Sequence, residues 1–225
     1  MDTTTTKLSV LKANVKRYGW MRSLYKTVVW FAARYLGIHV YLVRIRPMEG
    51  NPGYPYTLPD IAFRRISSDE LMKAGDDSKL GLGHGFVQAA IERGDLAFGA
   101  FDGSRLVSYV WRASTSAPHE DGIWVRVNRP YNYSYKSYTK PSYRGRHLCP
   151  ATILFSDAYM YQQGYTHRVG FVAVSNFSSL AAGKYMESEP IGHAGYFDWF
   201  GRRFSFATKA VKSIGFEFFV PERGS

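Results

Sequence analysis

The chain has 225 residues, 45% hydrophobic, 16% aromatic and 21% charged, with a formal net charge of +11. That length allows one domain, or one domain with an arm; the composition excludes a disordered chain, and the apolar content is enough for a core that requires no disulfide or metal staple. The single cysteine, Cys149, excludes an intramolecular disulfide framework and a cysteine-rich zinc site, and it suits a reducing compartment.

The charge is uneven. Residues 1–50 hold Lys7, Lys12, Lys16, Arg17, Arg22, Lys26, Arg34, Arg44 and Arg46 against Asp2 and Glu49, so +7 of the +11 lies there. Such an arm fits anionic lipid, nucleic acid or an anionic ligand. The first residues are Thr-rich and carry no uninterrupted apolar run of the secretory kind. Lys26, Arg34, Gly37 and His39 interrupt the apolar stretch 25–43, so a membrane span is not expected.

From Val10 to Leu36 apolar residues recur at helical spacing (Leu11, Val15, Tyr18, Met21, Tyr25, Val28, Ala32, Tyr35), and Gly37 is a fitting stop. The pattern predicts a basic amphipathic helix. It suits a helix docked on its own domain, and also a peripheral membrane anchor with Trp20 and Trp30 at headgroup level. Ile38 to Arg46 reads as a strand, and the Pro/Gly-rich segment 48–60 as a linker. Residues 1–60 are therefore set apart from a main domain over 61–225.

The main domain opens with a strand at 61–66 and a helix capped by Ser67, with Asp69 and Glu70 in its first turn. A second short helix spans 84–93. A hairpin follows, Leu96–Phe101 joined through Asp102-Gly103 to Arg105–Trp111. Residues 115–122 read as a polar loop, then strands come at 123–127 and 131–139. The best helix is 148–163, followed by a buried-type strand at 168–174, a helix at 178–186 and two or three strands over 191–220. This order predicts an α+β fold around a mixed, mostly antiparallel sheet flanked by helices.

The stretch Tyr138-Thr-Lys-Pro-Ser-Tyr-Arg-Gly-Arg-His-Leu-Cys149 runs from a strand through a proline-stopped turn into the longest helix. The first turn of a helix offers free N–H groups and a positive dipole end, Arg144 and Arg146 add charge, and Gly145 permits close backbone approach. These are the ingredients of a pyrophosphate cradle. Other patterns lead nowhere. The Gly-rich run 81–85 follows no strand, the six His lack ligand spacing, so no metal is expected, and Cys149 has no partner placed for nucleophilic chemistry.

The P-x-Y-R-G-R order of Pro141, Tyr143, Arg144, Gly145 and Arg146 resembles the coenzyme-A-binding motif of the Gcn5-related N-acetyltransferase (GNAT) superfamily. Val174-Ser-Asn176-Phe-Ser-Ser179 is similar to the segment that packs beside the pantetheine there. The likeness covers roughly residues 61–215. His147 and Cys149 stand where that motif has small residues, and Gly183 stands where superfamily members often carry a tyrosine acid.

The resemblance implies an enzyme that transfers an acetyl or longer acyl group from a coenzyme A thioester to an amine by direct attack. It implies that Tyr138, Thr139, Arg144, Gly145, Arg146, His147, Leu148, Cys149, Asn176 and Ser179 bind acetyl-CoA or another acyl-CoA. Backbone N–H groups of Ser137-Tyr138-Thr139 would polarise the thioester carbonyl. Tyr185 is the candidate acid. Glu120, with Asp121 and His119 beside it, is the candidate for proton removal, and Tyr133 and Tyr135 the candidate acceptor pocket. Alternatives from other classes are an acyltransferase fed by an acyl carrier protein, as in N-acyl amino acid or acyl-homoserine-lactone synthesis, and a non-catalytic membrane- or nucleic-acid-binding module. Nucleic acid is the least favoured partner, because the basic helix carries a wide apolar stripe. A cytoplasmic protein is expected, with peripheral contact to the inner membrane face through residues 10–36 and a homodimer both compatible with the sequence.

Overall fold

A computed structural model describes residues 15–16, 19–50, 58–120 and 122–221, and the side chains of residues 182–185 lie outside that description. Helix α1 (Trp20–Leu36) and strand β1 (His39–Pro47) come first. Then follow β2 (Ile61–Arg65), α2 (Ser68–Gly75), a 3-10 turn at Ser78–Leu80, α3 (His84–Glu92), β3 (Leu96–Asp102) and β4 (Arg105–Ala113). The middle of the chain forms β5 (Ser116–Glu120), β6 (Ile123–Arg126), β7 (Tyr131–Thr139), a 3-10 turn at Pro141–Tyr143 and α4 (Leu148–Gln162). The last part forms β8 (His167–Ala173), α5 (Phe177–Tyr185), β9 (Glu189–Trp199), β10 (Arg202–Ala207), α6 (Lys209–Ser213) and β11 (Glu217–Phe219).

Local chemistry accounts for the boundaries. Gly37 closes α1 in the left-handed conformation with its N–H on the Ala32 carbonyl. Ser67 caps α2 in a complete capping box: its hydroxyl accepts from the Glu70 N–H, and the Glu70 carboxylate accepts from the Ser67 N–H.

Eight strands form one sheet in the order β10-β9-β1-β8-β7-β4-β3-β2. Every neighbouring pair is antiparallel except β7 and β8, which run parallel. One face of β3 and β4 (Phe98, Val110) packs on Met160 of α4. The other face (Ala97, Trp111) joins a larger core with Leu71 of α2, Val87 of α3, and Phe216 and Phe218 near the C-terminus. Alternation of side chains along each strand sorts the two cores. Each of these fully buried large side chains contributes on the order of 1.5–3 kcal/mol.

Two expectations change. Residues 116–120, read as a polar loop, form β5, an edge of a second sheet ordered β11-β6-β5. Pro118 is tolerated there because an edge strand can spare one N–H. The boundary at residue 60 also does not separate the sheet from an arm. β1 lies inside the sheet, pairing over Tyr41–Pro47 with β8 and over His39–Ile45 with β9. Its alternation Tyr41, Val43 supplies two buried positions of the main core.

A buried ionic triad ties three elements. Arg112 of β4 and Arg168 of β8 both donate to the Asp157 carboxylate of α4. Ser156 Oγ accepts from Arg112 Nε at 3.0 Å. Removing the shared carboxylate would strand two buried guanidiniums, a loss of about 3–5 kcal/mol for a broken buried pair.

Candidate functional site

The site grows from the one parallel pair. β7 and β8 are in register only over Tyr131–Tyr133 and His167–Val169. Beyond that point the strands diverge, although β7 continues to Thr139 and β8 to Ala173. On its other side β7 pairs with β4: Tyr135 stands opposite Trp111 and Tyr138 opposite Tyr109. Two residues, Lys136 and Ser137, therefore face the single Val110, which defines a bulge. Lys136 takes a φ of 43°, in the left-handed region. A bulge re-aims backbone groups, and this one lies in the part of β7 that β8 no longer pairs. The sequence placed the interruption near Pro141; pairing with β8 already ends at Tyr133, and the bulge against β4 lies at Lys136–Ser137.

A cleft of about 280 Å³ lies in the gap, lined by His119, Tyr133, Ser134, Tyr135, Lys136, Ser137 and Phe171. Tyr133 stacks on Tyr135 at 5.6 Å and on Phe171 at 5.7 Å. The Tyr135 hydroxyl donates to Asp95 at 2.6 Å, so this ring is fixed from behind. The Lys136 ammonium sits 4.4 Å from the Phe86 ring centroid, and burial pushes its pKa down.

Each strand of the parallel pair leads into a helix at the same edge of the sheet. After β7 the chain passes Pro141–Tyr143 and Arg144-Gly145-Arg146, then enters α4 with His147 as N-cap. Gly145 has a φ of +81° with nothing within 4 Å of where a Cβ would stand. Arg144 and Arg146 are exposed. Arg144 Nε reaches the Thr139 carbonyl at 3.4 Å, and Arg146 lies 5.4 Å from the Tyr143 ring, whose hydroxyl donates to Asp102. His147 has a φ of 56° and makes no side-chain cap to the helix. This explains why a glycine suits that position of the motif: the backbone is left-handed there, and here a histidine adopts the conformation. Leu148 is buried against Ala100 and Val107. Cys149 is hydrogen-bonded to Ser137, which brings the first turn of α4 against the bulge, and burial pushes its thiol pKa up, the opposite of an activated nucleophile.

After β8 the turn reaches Asn176, whose side-chain oxygen accepts from the Ser179 N–H at 3.2 Å and from the Ser178 hydroxyl at 2.9 Å. Asn176 thus caps α5. Tyr138 packs at 5.7 Å on Tyr109, and its carbonyl and the Thr139 hydroxyl both contact Ser108 Oγ. Tyr185 ends α5, and its side chain, like the whole of Asp121, lies outside the described residues.

Glu120 sits in a polar cluster that no local sequence signal revealed. Its Oε1 accepts from Tyr196 at 2.6 Å and from Tyr41 at 2.8 Å. His119 Nε2 is 3.2 Å from the same oxygen and 3.0 Å from Tyr41 Oη. His39 Nδ1 lies 3.8 Å away, with its ring stacked on Tyr196. Burial pushes the Glu120 carboxyl up, but the two phenol hydrogen bonds and the two histidines outweigh it and hold it below the usual carboxylate range. Burial, then the hydrogen bonds to Tyr196 and Glu120, raises Tyr41 far above an ordinary phenol; Tyr196 is raised by burial and Glu120. The cluster is thus a carboxylate among neutral phenols, and His119 carries it to the wall of the cleft. Sequence reasoning missed Tyr41, Tyr196 and His39, because β1 was assigned to a separate arm; β1 and β9 pair in the large sheet, and Glu120 reaches them from β5 of the second sheet.

Among the described residues no group of three His, Cys, Asp or Glu could hold a metal ion. No family model matches the sequence, and no curated protein matches it. Solved structures do match. A GCN5-related N-acetyltransferase from Sphaerobacter thermophilus aligns with 75% of this chain and 52% of its own, at 9% identity and a TM-score of 0.51. A GNAT-family acetyltransferase from Novosphingobium aromaticivorans aligns with 71% of this chain and 63% of its own (15% identity, TM-score 0.49). A GCN5-related N-acetyltransferase from Kribbella flavida aligns with 68% and 55% (11% identity, TM-score 0.46). The chain spans about half to two thirds of the length of these proteins. The chain has the GNAT fold: a mixed α+β architecture with a mostly antiparallel central sheet flanked by helices. The N-terminal strand β1 is part of that sheet.

Proposed function

We propose that the chain is an N-acyltransferase that passes an acyl group from a coenzyme A thioester to an amine acceptor. One observation carries the reading: the only parallel pair among the described residues splays open beside a bulge, and a helix preceded by Arg144-Gly145-Arg146 starts at the same edge. The divergent strands leave β7 backbone groups for an extended, amide-bearing ligand arm. The first turn of α4 and its arginines suit a pyrophosphate. The acyl donor is a substrate, and the chemistry needs no metal.

In this reading the amine enters the aromatic cleft and attacks the thioester carbonyl. The C–N bond forms, the C–S bond breaks, and the thiolate leaves. Backbone N–H groups at the Lys136–Ser137 bulge stabilise the oxyanion. An alkyl amine has a pKa of about 10, so a proton must be taken from it. His119 receives that proton at the cleft, and Glu120 holds the resulting imidazolium. Tyr185 remains the candidate acid for the leaving thiolate, and Tyr133 and Tyr135 form the acceptor wall. A short acyl group such as acetyl is the simplest donor; the acceptor is defined only as an amine.

The test is a thermal-shift titration with coenzyme A and acetyl-CoA, coupled to thiol release in the presence of an amine panel. Ligand binding to the folded state raises the melting temperature by mass action. Arg144→Glu is expected to reduce the shift by at least tenfold in ligand concentration while the unliganded melting temperature stays within a degree or so, since an exposed arginine contributes little to stability. Absence of any shift and of any thiol release in the wild-type chain would overturn the reading.

A further inference from the structure

One carboxylate oxygen joins the two sheets. Glu120 Oε1, at the end of β5, has Tyr196 Oη of β9 at 2.6 Å, Tyr41 Oη of β1 at 2.8 Å, His119 Nε2 at 3.2 Å and His39 Nδ1 at 3.8 Å. Both phenols are buried, and His119 borders the aromatic cleft. Consecutive residues of a strand point to opposite faces, so His119 and Glu120 would ordinarily part. They converge because β5 is irregular there: Pro118 stands opposite Trp124 and Glu120 opposite Ile123, which leaves His119 as the extra residue of a bulge.

The hydrogens around this oxygen form a closed account. An ionised carboxylate only accepts, and a phenol has one hydrogen to give. Tyr41 and Tyr196 both give theirs to Glu120 Oε1. The Tyr41 oxygen is then left as an acceptor, 3.0 Å from His119 Nε2. Nε2 thus faces two acceptors, the Tyr41 oxygen and the Glu120 oxygen, and carries a proton to meet them. The reverse arrangement, with Tyr41 donating to Nε2, would set a phenol lone pair against the carboxylate at 2.8 Å and a ring lone pair against it at 3.2 Å. Acceptors facing one another in this way are left unpaired, which is costly away from water. In neutral His119 the lone pair is therefore on Nδ1.

The other groups around His119 leave Glu120 as its counter-ion. Lys136, Tyr133 and Tyr135 of β7 share the cleft with it, and Phe171 of β8 and Phe218 of β11 pack on its ring at 4.9 and 5.6 Å. His39 approaches the same carboxylate from β1. Beyond Tyr196, Arg203 is paired with Asp198 at 2.6 and 3.0 Å.

We propose that Tyr41 and Tyr196 are positioning residues for His119: by donating to Glu120 they fix Nδ1 as its basic atom. The amine proton passes to Nδ1 as the nitrogen lone pair forms the C–N bond, and Nε2–H stays on Glu120 and Tyr41. The catalytic use rests on the acyl-transfer reading above; the placement of the proton rests on geometry alone.

The experiment is an NMR titration of the full chain with 15N-labelled histidine, with the His119 ring assigned by its loss in His119→Gln. It needs no substrate. Above the His119 midpoint the proton is expected on Nε2. Glu120→Gln should lower that midpoint by about one pH unit, because the facing charge is lost. Tyr196→Phe should raise it by about half a unit, because the carboxylate then has one donor fewer and more charge left for the imidazolium. Circular dichroism would confirm that the variants are folded, and the wild-type ring nitrogens report the tautomer without any variant. The acid limb of kcat/KM for thiol release should move in the same directions. A proton on Nδ1 in the wild type would overturn the proposal, as would a midpoint and an acid limb that both variants leave in place while the wild type releases thiol. No thiol release from the wild type with any amine would instead overturn the acyl-transfer reading, and the catalytic use with it.

Discussion

His147 shows how one residue can depart from a motif while the backbone keeps to it. Its φ of 56° costs a side-chain-bearing residue on the order of 1–2 kcal/mol, and glycine escapes that cost. Glycine loses more entropy on folding, so the relief is partly cancelled. The expected order of stability is His147→Gly equal to or above wild type, His147→Ala no better than wild type, and His147→Val lowest by at least about 1 kcal/mol. Urea midpoints of the four proteins check this ranking; a His147→Val variant as stable as His147→Gly would refute the left-handed assignment. At this scale the sequence was informative where chemistry is local. Arg144, Gly145 and Arg146 do lead into the N-terminus of α4, and Asn176 does open the next helix. It was silent on Tyr41, Tyr196 and His39, because their meeting with Glu120 brings β1 and β9 of the large sheet against β5 of the second, across 79 residues between Tyr41 and Glu120.

Among elements, α2 offers the clearest pH signature. The Arg64 guanidinium, donating to both carboxylate oxygens at 2.6 and 2.8 Å, and the Ser67 cap hold Glu70 down to about 2 from an ordinary value of 4.5. A depressed carboxyl stabilises the fold above its unfolded pKa, and that contribution disappears as pH falls through the folded value. The Glu70 contribution is therefore complete above about pH 4.5 and lost by about pH 2. The pair is more than a third exposed, so the effect is at most about 1 kcal/mol. Comparing wild type with Glu70→Gln, the stability difference should be present at neutral pH and vanish near pH 2. A difference that persists unchanged into acid would show that packing, not charge, holds this turn. Helix α2 was readable because Ser67 and Glu70 are three residues apart; β5 was not, because its pairing to β6 competes with a polar, proline-containing sequence.

For the whole molecule, β1 decides where the domain begins. Removing residues 1–37 takes away α1 and leaves every strand in place, whereas removing 1–47 also opens a gap between β8 and β9. The first truncation should still unfold in a single cooperative transition; the second should lose that cooperativity. A cooperative transition in the shorter chain would mean that β8 and β9 can close on each other. The α+β class and most of the element order were legible from periodicity and turn residues. The place of β1 was not, because a strand preceding a Pro/Gly-rich linker carries no mark of which strands it will join.

That interior strand also sets a timetable. β1 leaves the ribosome before its partners β8 and β9, which end 126 and 152 residues later, at Ala173 and Trp199 against Pro47. At about 5–20 residues per second the growing chain holds an unpaired, half-apolar strand for roughly six to thirty seconds. Closure of the sheet therefore waits for β9, and the Glu120 cluster, which needs Tyr196 of that strand, cannot assemble before it.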